Sequence, residues 1–218
     1  MTGDFIPALR FKALTRFYDP IVQLTTRDST VKQALIDAAQ VPENATVIDV
    51  GCGTGTLAIR LKQRHPSAQV IGLDADPAIL RLAEVKARKA AVNITLVEGN
   101  ATALPFDDAF ADRVVSSLFF HHLQRDGKRR AFIEIMRVLA PGGELHIADW
   151  GTPENWLMRL LFFPVRVLDG FANTRDNVQG RIAAMLKEAG ADSVDETARF
   201  ATVFGTLTLL TASKPHTN

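Results

Sequence analysis

From Thr46 onward, short apolar runs alternate with stretches whose apolar residues recur at helical spacing. The runs predict strands over about 45–50, 69–74, 93–98, 111–118 and 143–149. The helical spacing predicts helices over about 55–64, 77–91 and 126–139. Val114-Val115-Ser116-Ser117-Leu118 is nearly all apolar, as a strand covered on both faces requires. Strands alternating with helices in this way make a mostly parallel sheet with helices on both faces.

The flanking regions read differently. Residues 5–39 predict two helices broken at Asp19-Pro20. Asp28-Ser29-Thr30 is the expected N-cap of the second, which runs from about Val31 to Ala39. The alternation stops after Asp149. Residues 156–168 are an apolar insertion rich in Leu and Phe, and Pro164 should end or kink any helix there. A helix over about 175–189, closed by Gly190, leads to two strands over about 193–201 and 205–213. Phe204-Gly205 lies between them.

Composition narrows the class. A chain of 218 residues with 47% hydrophobic content makes one α/β domain with a sizeable core. Its 25 basic residues against 24 acidic ones give a net charge of +1, no general basis for a nucleic-acid partner. Two basic clusters, Lys86/Arg88/Lys89 and Arg125/Lys128/Arg129/Arg130, read as solvated helix faces. Cys52 is the single cysteine, so no internal disulfide forms, and no Cys/His cluster has zinc spacing. No metal is expected. There is no N-terminal apolar leader pattern and no apolar run of membrane-spanning length, which predicts a cytoplasmic protein.

The chemistry concentrates in Val47-Ile48-Asp49-Val50-Gly51-Cys52-Gly53-Thr54-Gly55. An apolar strand ends in three alternate glycines and opens a helix. Such a turn lets bare backbone approach a ligand, and the helix N-terminus beyond it offers free N–H groups to a negative group. The dinucleotide fingerprint would need glycine where Thr56 stands. A second strand, Ala68 to Asp74, ends in an acid nineteen residues beyond Gly55. An acid so placed suits a ribose diol. Glycine turn and ribose-binding acid together imply a nucleoside cofactor.

These pieces, with Glu98–Phe106, Asp112–Leu123 (DRVVSSLFFHHL) and Leu139–Leu145, occur in an order that resembles the class I S-adenosylmethionine (SAM)-dependent methyltransferases. The chain is most similar to the small-molecule group that includes ubiquinone/menaquinone-biosynthesis C-methyltransferases. The resemblance spans about residues 44–150. It implies a Rossmann-like three-layer α/β sandwich with a mostly parallel seven-stranded sheet of order 3-2-1-4-5-7-6, the last strand antiparallel. It also implies one domain over 1–218: a helical cap (1–40), a SAM-binding core (44–150), an apolar insertion or lid (151–174), and a closing helix and hairpin (175–218).

By the same resemblance, the cofactor-binding residues are Asp49, Gly51, Cys52, Gly53, Gly55, Asp74, Ala75, Asn100, Ala101, Ser117 and Leu118. The glycines would approach the methionine moiety and ribose. Asp49 would orient the turn or reach the SAM amine, and Cys52 is read as a small apolar filler. Asp74 would grip the ribose hydroxyls, while Asp76 is the better helix cap. Ala75 would lie by the adenine. Asn100 stands where the family often has Asp against the adenine amino group, and an amide oxygen can accept the same bond. Candidates for catalysis are His121, His122, Asp149 and Tyr18. The His-His-Leu run recurs in the family across unlike substrates, which points to packing. Asp149 ends a strand at the ligand-binding edge of the sheet, where substrate contact and loop capping are equally open. Tyr18 would cover the cofactor. His146 reads as a core histidine.

Methyl transfer from a sulfonium is an in-line displacement, and positioning alone supplies much of the rate, so no base is obligatory. DNA amine methylation is disfavoured because Ser117-Leu118-Phe119-Phe120 replaces the Asn/Asp-Pro-Pro-aromatic motif. Cytosine-C5 methylation is excluded because the only thiol lies in the glycine turn. A small-molecule acceptor remains, and an apolar one, a quinone precursor or lipid, fits a hydrophobic lid at 156–168. Membrane-surface contact through Arg159 and Arg166, a homodimer contact and plain core are the other readings of that segment, plain core or dimer being favoured. A NAD-dependent oxidoreductase and a non-catalytic SAM-binding protein are the alternative functions.

Overall fold

The computed structural model describes residues 27–216. Tyr18 and the Asp19-Pro20 break lie outside the described residues. Helix α1 (Asp28–Ala39) precedes β1 (Thr46–Val50), α2 (Thr56–Arg64), β2 (Gln69–Asp74), α3 (Pro77–Lys89), β3 (Thr95–Glu98) and β4 (Ala111–Ser117). A single 3-10 turn (Phe120–His122) leads to α4 (Arg125–Val138) and β5 (Leu139–Trp150). Four short helices follow: α5 (Trp156–Leu161), α6 (Phe163–Asp169), α7 (Phe171–Val178) and α8 (Ile182–Glu188). The hairpin β6 (Ser193–Thr202) and β7 (Gly205–Ser213) completes the described chain.

All seven strands form one sheet of order β3-β2-β1-β4-β5-β7-β6. The first five are parallel, and β7 is antiparallel to both of its neighbours. The expected topology is therefore observed. The cause is visible in β1. Val47 and Ile48 point to opposite faces, and both are fully buried. Val47 packs with Val31, Leu35 and Leu57 under α1 and α2. Ile48 packs with Phe120, Phe132 and Ile135 on the α4 side. A strand covered on both faces has no polar alternation, which is why the apolar runs read as strands.

Local signals place most helix ends. Asp76 caps α3, its Oδ1 accepting from the Ala78 N–H at 2.8 Å, with Pro77 in the first turn. At α1 the cap differs from expectation. Arg27 is the N-cap, in left-handed backbone, and Asp28 is the first helical residue. Asp28 instead binds the Lys32 ammonium at 2.5 Å, one turn on. The single helix expected over 175–189 is two helices, α7 and α8. The chain breaks between them because Arg181 N–H bonds back to Asp176 O and Gly180 N–H to Asn177 O. Strand β5 starts at Leu139, earlier than expected, because Leu139 already pairs with Ala111 before the register shifts to Arg113 and Glu144.

The insertion is not core. Among residues 156–168 only Phe162 is buried, against Trp150 at 5.0 Å between ring centroids. Trp156 and Leu168 are 76% and 84% exposed, and Leu160, Phe163 and Val167 also face outward. Pro164 sits in the first turn of α6 and separates it from α5, as its fixed φ and missing N–H demand.

The register of α4 gives a direct test. Phe132 is fully buried against Phe120, whereas the adjacent Ile133 is 55% exposed. Phe132→Ala should lower the unfolding free energy by about 3–5 kcal/mol in urea titration. Ile133→Ala should change it by no more than about 0.5 kcal/mol.

Candidate active site

The turn between β1 and α2 runs through Gly51, Gly53 and Gly55, with φ of 70°, 53° and 74°. All three lie in the left-handed region that a Cβ disfavours. A Cβ on Gly51 would stand 2.3 Å from the Phe119 ring, and one on Gly55 would stand 3.0 Å from Ala83. At Gly53 it would meet nothing within 4 Å. The turn is thus closed by protein on two sides and open at its middle glycine.

Two carboxylates hold this turn. Asp49 is buried, and its Oδ2 accepts from the Ala58 N–H at 3.1 Å, inside the first turn of α2. That position orients the turn from behind. Burial raises the Asp49 carboxyl to about 7, against the pull of Lys32 and the Ala58 N–H. Asp74 ends β2 and is partly exposed. Its Oδ2 accepts from Gly53 N–H at 2.9 Å and its Oδ1 from Asp76 N–H at 3.0 Å. Burial raises its pKa, and those amides offset part of the effect. Gly51 and Cys52 both donate backbone N–H groups to Leu73 O. The Cys52 side chain is buried against the position of Gly72, and burial pushes its thiol well above the ordinary range, which suits a filler. Ala75 follows Asp74 at the rim and is partly buried.

Across the sheet edge, Asn100 Oδ1 accepts from Thr102 N–H and Oγ1, both at 2.9 Å. An adenine contact to that oxygen would be a third bond on it. Ala101 is buried in the core, so only its backbone is available to a ligand. The buried Ser117 Oγ has no hydrogen-bond partner, and Leu118 is left-handed with φ 55°. Open space at Gly53, the Asp74 carboxylate on its rim and the orphaned Ser117 hydroxyl fit a ligand with ribose and polar ends.

Beyond β4, His121 is buried and doubly tied to Asp149. Its N–H donates to Asp149 Oδ2 at 3.0 Å, and its Nδ1 lies 2.6 Å from Asp149 Oδ1. Trp150 N–H takes a further bond to Oδ1 at 2.7 Å. Asp149 therefore caps the turn after β4, its carboxylate bonded to His121 and to the Trp150 N–H. Burial opposes charge on both, yet the pair wins. His121 is raised by Asp149 and Asp169, and Asp149 is lowered by His121 and the backbone amides. Burial beside His121 holds His122 down to about 3. His146, as expected, is a core histidine, with Nδ1 3.1 Å from Thr211 Oγ1.

Three charged residues escaped the sequence reading. Lys86 does not lie on a solvated face: its Nζ donates to Thr56 Oγ1 at 2.5 Å, beside the glycine turn. Lys128 is fully buried on α4 and donates to Asn173 O, while its neighbours Arg125 and Arg129 pair with Asp176 and Glu188. That cluster is the seam between α4 and the helices after β5. Asp169, on the insertion, faces both histidines. Their partners lie far along the chain, beyond the reach of local spacing. Helical periodicity did put Lys86 and Lys128 within one turn of buried positions, a signal that could have been used.

Asp49 gives a pH prediction. Its native pKa is raised from 3.8 to about 7, so the native state holds this proton more tightly than the unfolded chain. Stability from this group is full below pH 3.8 and falls as pH rises towards about 7. At 1.36 kcal/mol per unit the loss reaches on the order of 4 kcal/mol. Asp49→Asn keeps an acceptor for Ala58 and removes the slope. In urea titrations its stability relative to wild type should rise between pH 5 and pH 8.

With this geometry in place, comparisons identify the architecture. A methyltransferase-domain family model matches residues 47–143. The chain is 31% identical over 154 residues to a demethylmenaquinone methyltransferase of Thermus thermophilus, covering 70% of this chain and 69% of the relative. It is 36% identical over 116 residues to the demethylmenaquinone methyltransferase of Deinococcus radiodurans, covering 53% of this chain and 47% of that relative. The chain thus spans between about half and two thirds of the curated relatives it matches. A solved SAM-dependent methyltransferase from Methanosarcina mazei superposes with a TM-score of 0.67 at 22% identity, over 84% of this chain and 98% of that one, and shares the fold. The chain belongs to the class I SAM-dependent methyltransferases.

Proposed function

We propose that this chain transfers a methyl group from SAM to a small apolar acceptor, a quinone precursor or lipid. One observation carries the cofactor half: the β2 acid and the β1 glycine turn form a single cradle, joined by the bond from Gly53 N–H to Asp74 Oδ2. Bound SAM supplies an electrophilic methyl on a sulfonium. Gly53 leaves room for it, and the free lone pairs of Asp74 would accept from the ribose hydroxyls. Ser117 and Leu118, at the end of β4, would border it on the acceptor side.

Acceptors of open α/β sheets sit beyond the strand C-termini, here those of β4 and β5. His121 is a positioning residue in this reading. Buried and held at both its N–H and its ring by Asp149, it fixes the turn after β4. In-line placement then does most of the work. The outward apolar residues of α5 and α6 support an apolar acceptor or a membrane that presents one. The names of the Thermus and Deinococcus relatives support a quinone ring as the first candidate.

Saturating SAM or S-adenosylhomocysteine should raise Tm. At ~100 times Kd the gain is about 2.7 kcal/mol, or roughly 5–10 °C for a domain of this size. NADH should give no shift, and Asp74→Ala should abolish the SAM response; a rise with NADH alone overturns the reading. A demethylated naphthoquinone incubated with SAM and the protein should yield a product one methyl group heavier by mass spectrometry. No product from quinones or lipids, with SAM binding intact, would overturn the acceptor class alone.

A further inference from the structure

Three side chains far apart in sequence meet beside the turn after β4. His121 Nε2 lies 3.7 Å from Asp169 Oδ2, and His122 Nδ1 lies 3.6 Å from Asp169 Oδ1. One ligand atom from each of the three falls within 4.8 Å of the others. These gaps are too long for hydrogen bonds, which span about 2.7–3.2 Å. They approach the edge of a tetrahedron with metal bonds of about 2.0–2.1 Å, an edge of ~3.3 Å.

The surroundings favour a cation. Asp149 Oδ1, 2.6 Å from His121 Nδ1, accepts a hydrogen bond from that nitrogen and leaves Nε2 facing the Asp169 carboxylate. A proton on the ring supplies the positive charge between Nε2 and that carboxylate when the site is empty, and a bound ion would take its place, releasing the proton. This carboxylate–histidine pairing is the support that metal-bound histidines ordinarily have. His121 is buried, but His122 and Asp169 are partly exposed, which gives an ion a way in. Two imidazoles and one carboxylate suit zinc-like ions, whereas magnesium prefers oxygen donors.

We propose that His121, His122 and Asp169 bind one divalent transition-metal ion of the zinc class, with Asp149 supporting His121 from behind. The ion ties the end of α6, in the insertion, to the turn after β4. This goes beyond methyl transfer and holds whatever the acceptor is. It also departs from the expectation of no metal, which rested on local spacing alone.

The test is calorimetric titration of the chelator-stripped full chain with zinc chloride, with elemental analysis after desalting. One zinc per chain is expected, and no binding of magnesium. Asp169→Asn and His122→Gln, both at partly exposed positions, should each weaken zinc binding more than about 10-fold while circular dichroism stays native. Equal affinity in both variants, or no zinc on the folded wild type, overturns the proposal. Should a variant fail to fold, cobalt on the wild type decides. Visible absorption of a four-coordinate site supports the assignment, and its absence overturns it.

Discussion

The structure turns on how β1 ends. Three residues of one turn must adopt left-handed backbone, and only glycine does so at low cost. A bare turn of this kind has no side chains to fix it. Carboxylates from two strands do so instead: Asp49 reaches forward into α2 and Asp74 reaches across from β2. Phe119, arriving from β4, packs where a Gly51 side chain would have stood. Three parallel strands are thus clamped at one point, and the open space at Gly53 is what remains between the clamps.

The same logic explains what could be read from the chain. Fully buried parallel strands leave continuous apolar runs, so β1, β2 and β4 were legible to within a residue or two. The glycine turn was legible because glycine spacing states a backbone requirement. Asp76 declared itself as a cap through its place before Pro77. Asp28 looked equally good and was not, because Lys32 competes for its carboxylate and Arg27 takes the cap position. The break between α7 and α8 depends on backbone bonds around Gly180, which periodicity does not report. The outward face of 156–168 was least legible: apolar composition there signalled burial, and only the tertiary arrangement shows which way the side chains point.

The site's second half was hidden for a related reason. His121 and His122 drew notice, but their partners come from β5 and α6. Asp149 could be seen only as a strand end, and Asp169 not at all. Lys128 lay within a basic cluster that resembled a solvated face, although among the described residues it is the most deeply buried lysine or arginine. Charged groups in this region are bought with desolvation and repaid by partners from three different elements, so no single stretch of sequence carries the pattern.

One feature of the sheet bears on how the molecule is made. β7 is the last of the described strands, yet it lies between β5 and β6. Until it emerges, β6 has no neighbour and the inner edge of β5, from Glu144 to Trp150, offers unpaired N–H and C=O groups. A nascent chain growing from its N-terminus can dock five parallel strands early, and then must hold an open apolar edge while some sixty residues follow. The strand that closes that edge also completes the Trp150 and Asp149 end of the sheet, pairing them with Leu207 and Thr208. The sheet beside Asp149 and Trp150 is therefore completed only when β7 is made, by the same pairing that covers the open edge of β5.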